Sequence, residues 1–208
     1  MAASSPAPLT VVFDIGNVLI SWDPRNLYRK LFADDEARME WFLAHVCTSD
    51  WNLEQDRGRS FEEAVALLSR QHTDLAPLIS AFHERWQEMV PGAIDGSVEV
   101  LEAILRMGRP TYAITNFNQD KFRETRARFP ILDRFTGIVV SGDERVIKPE
   151  PAIYRLLLDR YGLAAADCVF IDDSPKNVAG ARAVGMRALH FESPARLAAD
   201  LRRLGLPI

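Results

Sequence analysis

Short apolar runs that alternate with amphipathic helical patterns constrain the fold of this chain most strongly. Five runs have the length and composition of buried β-strands, and they end at Asp14, Thr115, Ser141, Asp172 and Phe191. Helical patterns over residues 97–108, 151–161 and 175–185 lie between these runs. Strands that alternate with helices predict an α/β fold in which helices cover both faces of a mostly parallel sheet.

The interval between the first and second strand runs breaks this alternation. It contains helical patterns over residues 27–32, 36–46, 61–70 and 75–89, and no convincing strand pattern. An interval of this length exceeds what a simple crossover between parallel strands requires. We therefore predict a core formed by residues 9–20 and 91–208, with a small α-helical cap formed by residues 21–90 over the sheet edge.

Composition excludes few partners but sets the class of protein. The chain has 208 residues, of which 48% are hydrophobic and 26% are charged, as in ordinary globular proteins. A net charge of −4 gives no reason to expect a nucleic-acid or membrane partner. Cys47 and Cys168 have no zinc-site or disulfide spacing. Residues 1–8 do not resemble a secretory signal, and no apolar run could span a bilayer, so a cytoplasmic location is expected.

Acidic residues close two of the predicted strands. Asp14 ends the first run, and the pair Asp172 and Asp173 ends the fourth. Parallel sheets bind ligands beyond the carboxyl ends of their strands, where three gathered carboxylates would repel unless a cation held them. Mg²⁺ suits such a site because it takes few carboxylates and keeps several waters. Adjacent strand residues point to opposite faces, so we expect Asp173 to bind directly and Asp172 to support it.

Other polar residues follow the same strand ends. Thr115 and Asn116 could donate hydrogen bonds to phosphate oxygens, although both types are also common in turns. Lys148, followed by Pro149, lies in a stiff loop and could neutralise a transferring phosphoryl group, although a lone lysine is usually just solvated. Asn177 lies one turn into the helix after the acids and could orient them or the phosphate.

Asp14 has two interpretations. A carboxylate can attack phosphorus and form an aspartyl-phosphate, which divides a difficult hydrolysis into two steps. An aspartate at a strand end can also stabilise a turn into Gly16 and Asn17 through its side chain. Taken alone, the residue favours the turn.

Four short motifs occur in order along the chain: Asp14-x-Gly16-Asn17-Val18, Thr115-Asn116, Lys148-Pro149 and Asp172-Asp173-x₃-Asn177. Their order, spacing and strand placement resemble the signature of the haloacid dehalogenase superfamily, over nearly the whole chain.

The resemblance implies a Rossmann-like core with a helical cap inserted after the first strand. It implies Asp14 as nucleophile, with Thr115 and Lys148 at the phosphate. The implied Mg²⁺ ligands are Asp14, the main-chain carbonyl of Gly16, Asp172 and Asp173. Asn17, Asn116 and Asn177 are the further core residues that we expect to contact the substrate.

Gly16 departs from the pattern of most phosphatases in that superfamily. They carry Asp two residues after the nucleophile, where it protonates the leaving group and later activates water. Its loss without replacement would lower the rate roughly 10²- to 10⁴-fold. The segments 13–18 and 54–64 resemble a bacterial branch that shares this glycine and includes phosphatases of sugar phosphates such as glucose 1-phosphate. Glycosyl phosphates have good leaving groups and need less help from an acid.

Three functions fit these residues. The first is a Mg²⁺-dependent phosphomonoester hydrolase that acts on a small phosphorylated metabolite, such as a sugar phosphate, through an aspartyl-phosphate. The second is a 2-haloacid dehalogenase, which also lacks the second Asp and attacks carbon without a metal. Asp172 and Asp173 disfavour it, because they would lie beside an anionic haloacid. The third is a phosphate-binding protein with weak turnover, which the presence of Asp14 and Lys148 disfavours.

The cap is expected to select the substrate. We predict that its substrate-facing residues lie in one segment: Trp51, Asn52, Gln55, Asp56 and Arg57. Residues 22–23 and 89–92 are the expected hinges, at which cap movement could admit substrate and exclude water. The expected partner is a small phosphorylated molecule, and the expected assembly is a monomer or a homodimer.

Overall fold

A five-stranded parallel sheet forms the core of the protein. The computed structural model describes residues 9–33 and 35–208, so the predicted lack of a signal in residues 1–8 lies outside the described residues. The strands are β1 (Thr10–Phe13), β2 (Thr111–Thr115), β3 (Gly137–Val140), β4 (Cys168–Asp172) and β5 (Arg187–His190). Each predicted strand is confirmed to within one residue at either end, and the α/β fold class is confirmed.

The strand order β3-β2-β1-β4-β5 places β1 at the centre of the sheet. Phe13 lies level with Ala113 of β2 and with Ile171 of β4. Strands β2 and β4 are buried along their whole length, as continuous apolar runs in a parallel sheet require. Because all strands run in one direction, the residues that follow β1, β2 and β4 meet at the same edge.

In the described part of the interval between β1 and β2, which was predicted to form the cap, five α-helices occur: α1 (Arg25–Leu31), α2 (Glu36–His45), α3 (Ser49–Asp56), α4 (Phe61–Gln71) and α5 (Ala76–Glu84). The helix predicted over residues 75–89 is interrupted, because α5 ends at Glu84 and a 3₁₀ turn follows over Trp86–Met89. Helix α3 was not predicted. It begins where the Thr48 hydroxyl accepts a hydrogen bond from the Trp51 N–H, 3.0 Å away.

Over residues 91–208, all of which the structure describes, six further α-helices occur: α6 (Asp95–Arg106), α7 (Gln119–Arg128), α8 (Ser141–Glu144), α9 (Pro151–Tyr161), α10 (Pro175–Ala183) and α11 (Pro194–Arg203). The predicted helices at 97–108, 151–161 and 175–185 correspond to α6, α9 and α10. Within the described ranges 9–33 and 35–208, no helix has both the length and the apolarity needed to cross a membrane.

The two chain segments that enter and leave the cap run side by side. The Ser21 N–H donates to the Gly92 carbonyl at 3.0 Å, and the Asp23 N–H donates to the Met89 carbonyl at 2.9 Å. Apolar cap residues such as Phe42 join the same buried cluster as Phe13 of the sheet. The division into a core and a cap at residues 20–21 and 90–91 stays a prediction.

Candidate active site

Asp14 follows the central strand directly and is only 6% exposed. Its N–H donates to the Ile171 carbonyl at 2.8 Å, which continues the pairing of β1 with β4 past the strand end. Asn17 then adopts a left-handed conformation with φ of 55°, which asparagine tolerates better than most residues. Its Oδ1 accepts a hydrogen bond from the Trp22 N–H at 2.9 Å, so the loop folds back over Asp14 and leads into the cap.

Lys148 bridges two of the predicted acids. Its Nζ lies 2.7 Å from Asp14 Oδ1 and 2.7 Å from Asp172 Oδ2, and the residue is 2% exposed. The Asn116 amide fixes the Lys148 backbone, since Nδ2 donates to the Lys148 carbonyl at 3.0 Å and Oδ1 accepts from the Lys148 N–H at 2.8 Å. The strand end of β2 therefore positions the lysine that contacts the acids of β1 and β4.

Asp172 and Asp173 face different surroundings, as the alternation of strand side chains predicts. Asp172 is fully buried, and its Oδ1 accepts hydrogen bonds from the Ser174 N–H at 2.8 Å and from Asn177 Nδ2 at 3.0 Å. Asp173 is half-buried and lines the cavity beside Asp14. Asn177 was predicted to orient the acids or the phosphate, and its amide donates to both oxygens of Asp172. Its contact with substrate stays a prediction.

Burial and neighbouring charges together raise the pKa values of Asp14, Asp173 and Lys148. Burial raises the pKa of Asp14 to about 8; Lys148 opposes this shift, and the Asp172 charge adds to it. Burial, and then the Asp172 charge, also raises the pKa of Asp173. Burial lowers the pKa of Lys148, but the Asp14 and Asp172 charges outweigh it and raise the pKa above its ordinary value. A buried cluster of acids with one lysine thus favours further positive charge.

The three acids fit a divalent cation. Asp14, Asp172 and Asp173 each offer a carboxylate oxygen, and these oxygens lie within 4.8 Å of one another. Three carboxylates against one ammonium leave an excess of negative charge, which a hard cation with oxygen ligands would offset. Gly16, whose carbonyl was the further predicted ligand, lines the same cavity.

A cavity of about 160 Å³ opens above the acids, between core and cap. The core contributes Asp14, Gly16, Asn17, Asn116, Phe117 and Asp173 to its walls. The cap contributes Trp22, Asn52, Asp56 and Trp86. A strand-end carboxylate beside a lysine, in the wall of a small cavity, is an arrangement suited to nucleophilic attack on a phosphate ester.

Residues 9–185 match the family model described as haloacid dehalogenase-like hydrolase. The chain belongs to this family. It is therefore an enzyme. The hydrolase has the Rossmann-like parallel sheet that the resemblance of its four motifs implied.

Known proteins similar to the hydrolase include two curated relatives and a solved structure. A sesquiterpene phosphatase of Aspergillus oryzae is 25% identical over 198 residues, which cover 93% of this chain and 94% of the relative. A flavin mononucleotide hydrolase of Arabidopsis thaliana is 43% identical over 116 residues, or 55% of this chain and 46% of the relative. A haloacid dehalogenase family enzyme of Bacteroides thetaiotaomicron, crystallised with magnesium and inorganic phosphate, shares the fold. Its TM-score is 0.68 and its identity 20%, over 90% of this chain and 96% of that one.

Of the five cap residues predicted to face the substrate, Asn52 and Asp56 line the cavity, and their contact with substrate stays a prediction. Trp51 packs against Phe82, with ring centroids 5.1 Å apart. The remaining two cap residues also have other contacts: Gln55 donates to the Trp51 carbonyl at 2.5 Å, and Arg57 forms an ion pair with Glu150 at 2.7 Å. The reason is geometric, because only one face of α3 is directed at the cavity.

Thr115, predicted to contact the phosphate, is 1% exposed at the end of β2 and lies level with Val140 of β3. Its role stays a prediction. Three wall residues of the hydrolase were not predicted as site residues: Trp22, which was predicted only as part of a hinge, Trp86 and Phe117. All three are aromatic residues with no local motif, and their place in the wall depends on how the cap packs on the sheet.

Proposed function

We propose that the hydrolase is a Mg²⁺-dependent phosphomonoester hydrolase that acts on a small phosphorylated metabolite. The observation that carries this proposal is the placement of Lys148 Nζ, 2.7 Å from both Asp14 and Asp172, below a cavity that Asp173 also lines. The names of the relatives, a sesquiterpene phosphatase and a flavin mononucleotide hydrolase, support phosphate chemistry. The related structure with magnesium and phosphate supports the choice of metal.

In this mechanism Asp14 is the nucleophile. One carboxylate oxygen bonds to phosphorus while the bond to the ester oxygen breaks, and water later hydrolyses the aspartyl-phosphate. Lys148 keeps the Asp14 carboxylate in position and offers positive charge where the transferring phosphoryl oxygens would lie. Asn116 supports this by fixing the Lys148 backbone, and Thr115 is the proposed hydroxyl donor to the phosphate.

The proposed ligands of Mg²⁺ are Asp14, Asp173 and the Gly16 carbonyl. Asp172 would act from behind them, because its oxygens already accept hydrogen bonds from Ser174, Asn177 and Lys148. When bound, Mg²⁺ supplies positive charge that neutralises the phosphate and keeps the nucleophile ionised. This agrees with a site in which burial, opposed by Lys148 and reinforced by the Asp172 charge, raises the pKa of Asp14 to about 8.

The walls of the cavity favour a small leaving group with hydroxyls. In the described part of the chain, three buried polar atoms in wall residues have no hydrogen-bond partner: Trp22 Nε1, Trp86 Nε1 and Asn52 Oδ1. Buried groups of this kind destabilise a protein unless a ligand or water satisfies them. A leaving group with several hydroxyls, such as a sugar, offers both acceptors for the indoles and a donor for the amide.

The test is phosphate release from a panel of small phosphate esters, including glucose 1-phosphate, by wild-type protein and by Asp14→Asn. We expect Mg²⁺-dependent release by the wild type and none by the variant, with an unchanged circular dichroism spectrum. Chloride release from 2-chloropropionate in EDTA, without phosphate release from any ester, would instead identify a dehalogenase. Activity retained by Asp14→Asn would exclude Asp14 as the nucleophile.

A further inference from the structure

A buried carboxyl from the cap lines the cavity but has no role among the proposed nucleophile, metal ligands and phosphate contacts. Asp56 is the last residue of α3, is 8% exposed, and lines the cavity that also contains Asp14 and Gly16. Within residues 9–33 and 35–208, it is the one ionisable side chain that the cap adds to these walls. A buried aspartate is normally paired with a cation, yet none of the described ion pairs includes Asp56.

In the described part of the chain, the core adds two carboxyls to the cavity walls, Asp14 and Asp173, and the proposed mechanism uses them as nucleophile and as metal ligand. An alkoxide leaves readily only if it receives a proton, and the water that attacks afterwards must lose one. Position 16, two residues after Asp14, is glycine, and a Cβ there would meet no heavy atom within 4 Å. Position 16, which lines the same cavity as Asp14, therefore has open space where a side chain would begin.

Contacts with the core hold Asp56 in place. The Ser141 hydroxyl donates to the Asp56 carbonyl at 2.5 Å, and Asn118 Nδ2 donates to the Gln55 carbonyl at 3.3 Å. Gly58 lies so close to the core that a Cβ there would be 2.8 Å from the Gly142 carbonyl oxygen. The end of α3 is thus attached to the loops after β2 and β3, which also carry the catalytic edge of the sheet.

We propose that Asp56 is the acid and base of the reaction, in place of an acid at position 16. This inference rests on the proposed phosphatase function. In the first step Asp14 bonds to phosphorus, the bond from phosphorus to the ester oxygen breaks, and the Asp56 carboxyl gives its proton to that oxygen. In the second step a water oxygen bonds to phosphorus and the bond to Asp14 breaks. The proton of that water returns to Asp56, so both carboxyls are restored as phosphate leaves.

The surroundings of Asp56 suit both roles. Burial raises its pKa to about 7, and the Asn118 backbone N–H and the Lys148 charge limit the rise. A group that titrates near neutral pH can both give and take a proton efficiently. Asn52 Nδ2 donates to Asp56 Oδ2 at 3.2 Å and orients the carboxyl.

Leaving-group dependence separates this role from a structural one. We would measure kcat/KM with Mg²⁺ for glycerol 1-phosphate, phenyl phosphate and p-nitrophenyl phosphate, using wild type, Asp56→Asn and Asp50→Asn. Asp50 is exposed on the same helix and serves as the matched control. For Asp56→Asn we expect a loss of roughly 10²- to 10⁴-fold on glycerol 1-phosphate. The loss should be smaller on phenyl phosphate and smallest on p-nitrophenyl phosphate, because nitrophenolate leaves without a proton.

A rescue experiment uses the space at position 16. Gly16→Asp in the Asp56→Asn background should restore much of the activity on glycerol 1-phosphate, because the new side chain enters open space beside Asp14. A merely structural defect at Asp56 would not be repaired from the opposite wall. Asp56→Asn should fold, since the Asn52 amide can rotate to present its unpartnered Oδ1 to the new NH₂ group.

Two results would overturn the inference and leave the phosphatase function intact. One is an equal loss on all three esters with no rescue, and the other is full activity of Asp56→Asn on glycerol 1-phosphate. Failure of the function itself has a different signature, namely no Mg²⁺-dependent phosphate release by wild type on any ester. That result would remove both proposals together.

Discussion

The core side and the cap side of the cavity differ in how their polar groups are satisfied. On the core side, Lys148, Asp172 and Asn116 are joined by hydrogen bonds of 2.7 to 3.0 Å. On the cap side, Asn52 Oδ1 and the Trp86 indole N–H have no partner in the described ranges. Satisfied networks hold catalytic groups rigidly, whereas unsatisfied groups become favourable only when a ligand contacts them. The core side thus holds its polar groups in a satisfied network, whereas the cap side retains polar groups without a partner in the described ranges.

The two sides also treat buried charge differently. Asp14 and Asp172 of the core share Lys148. Their charges raise the pKa of Lys148, and the lysine in turn opposes the rise in the pKa of Asp14. Asp56 on the cap has only the more distant charge of Lys148 and neutral hydrogen-bond donors, so burial dominates and raises its pKa to about 7. The same type of side chain is therefore suited to nucleophilic attack on one side and to proton transfer on the other.

Removing the shared cation should have the largest effect on the core side. Lys148→Met leaves Asp14 and Asp172 buried without their partner, and we expect a loss of about 3–5 kcal/mol in the free energy of unfolding. Urea denaturation in EDTA measures this loss without metal compensation. Lys176→Met, at an exposed lysine of α10, is the control, and an equal stability of the two variants would contradict the picture of a rigid core side.

Separating the two sides should have the next largest effect. Ser141→Ala removes the hydroxyl that donates to the Asp56 carbonyl and accepts from the Phe117 N–H at 2.9 Å. Two buried backbone groups then lack a partner, which should destabilise the protein by about 2 kcal/mol in urea. Ser69→Ala on α4 is the matched control, because among the described contacts its hydroxyl has no partner. Similar stabilities would mean that Ser141 does not anchor α3.

Neutralising the isolated acid of the cap should stabilise the protein. Because the pKa of Asp56 is raised from 3.8 to about 7 in the folded state, folded protein binds more protons than unfolded protein between these values. Stability therefore falls as pH rises through this window. Asp56→Asn should be more stable than wild type at pH 8 by on the order of 1–2 kcal/mol, and the difference should vanish near pH 4.

Thermal and urea unfolding at both pH values would check this sign. Asp50→Asn, at an exposed position, should show no comparable pH-dependent gain. A wild type more stable than Asp56→Asn at pH 8 would indicate that the ionised Asp56 is stabilised by its neighbours, contrary to the contrast drawn between the two sides.

The smallest expected effect concerns the unpartnered indole of Trp86. Trp86→Phe retains an aromatic ring near Phe82 and Phe117 but removes the N–H. If a substrate hydroxyl accepts from that N–H, the loss of one hydrogen bond should weaken substrate binding by about 1 kcal/mol. This corresponds to a fall in kcat/KM of roughly fivefold, mainly through a higher KM. Trp41→Phe, at an indole that is 49% exposed, provides the control. A kcat/KM equal to wild type for the best ester of the panel would show that this indole does not bind the leaving group.

Local patterns were sufficient for the strands but not for every helix. Helix α7 is polar over most of its surface, with the sequence QDKFRETRAR, so its apolar periodicity is weak. Its start is nonetheless marked by Asn118, whose Oδ1 accepts from the Asp120 and Lys121 N–H groups. Helix α11 begins with Ser193 and Pro194, the same type of start as Ser174 and Pro175 at α10, and could have been predicted from that signal.

The polar face of α3 contained a signal that periodicity in apolar residues does not reveal. Asn52, Gln55 and Asp56 have the spacing i, i+3, i+4 and are all buried, so polar side chains occupy the inner face of this helix. A polar stripe normally indicates a solvent-exposed face. Only contact with the cavity and with the core reverses that interpretation.

The sequence by itself determined the sheet and the set of acids at its edge. Continuous apolar runs specify buried parallel strands, and parallel strands bring their carboxyl ends together. The sequence alone therefore predicted that Asp14, Asp172 and Lys148 lie at the same edge of the sheet. The tertiary structure decided which cap residue meets them. The contact between Ser141 and Asp56 joins residues 85 positions apart, and no local propensity encodes such a separation. The reaction centre follows from local patterns of strand and turn, whereas its opposite wall depends on long-range packing.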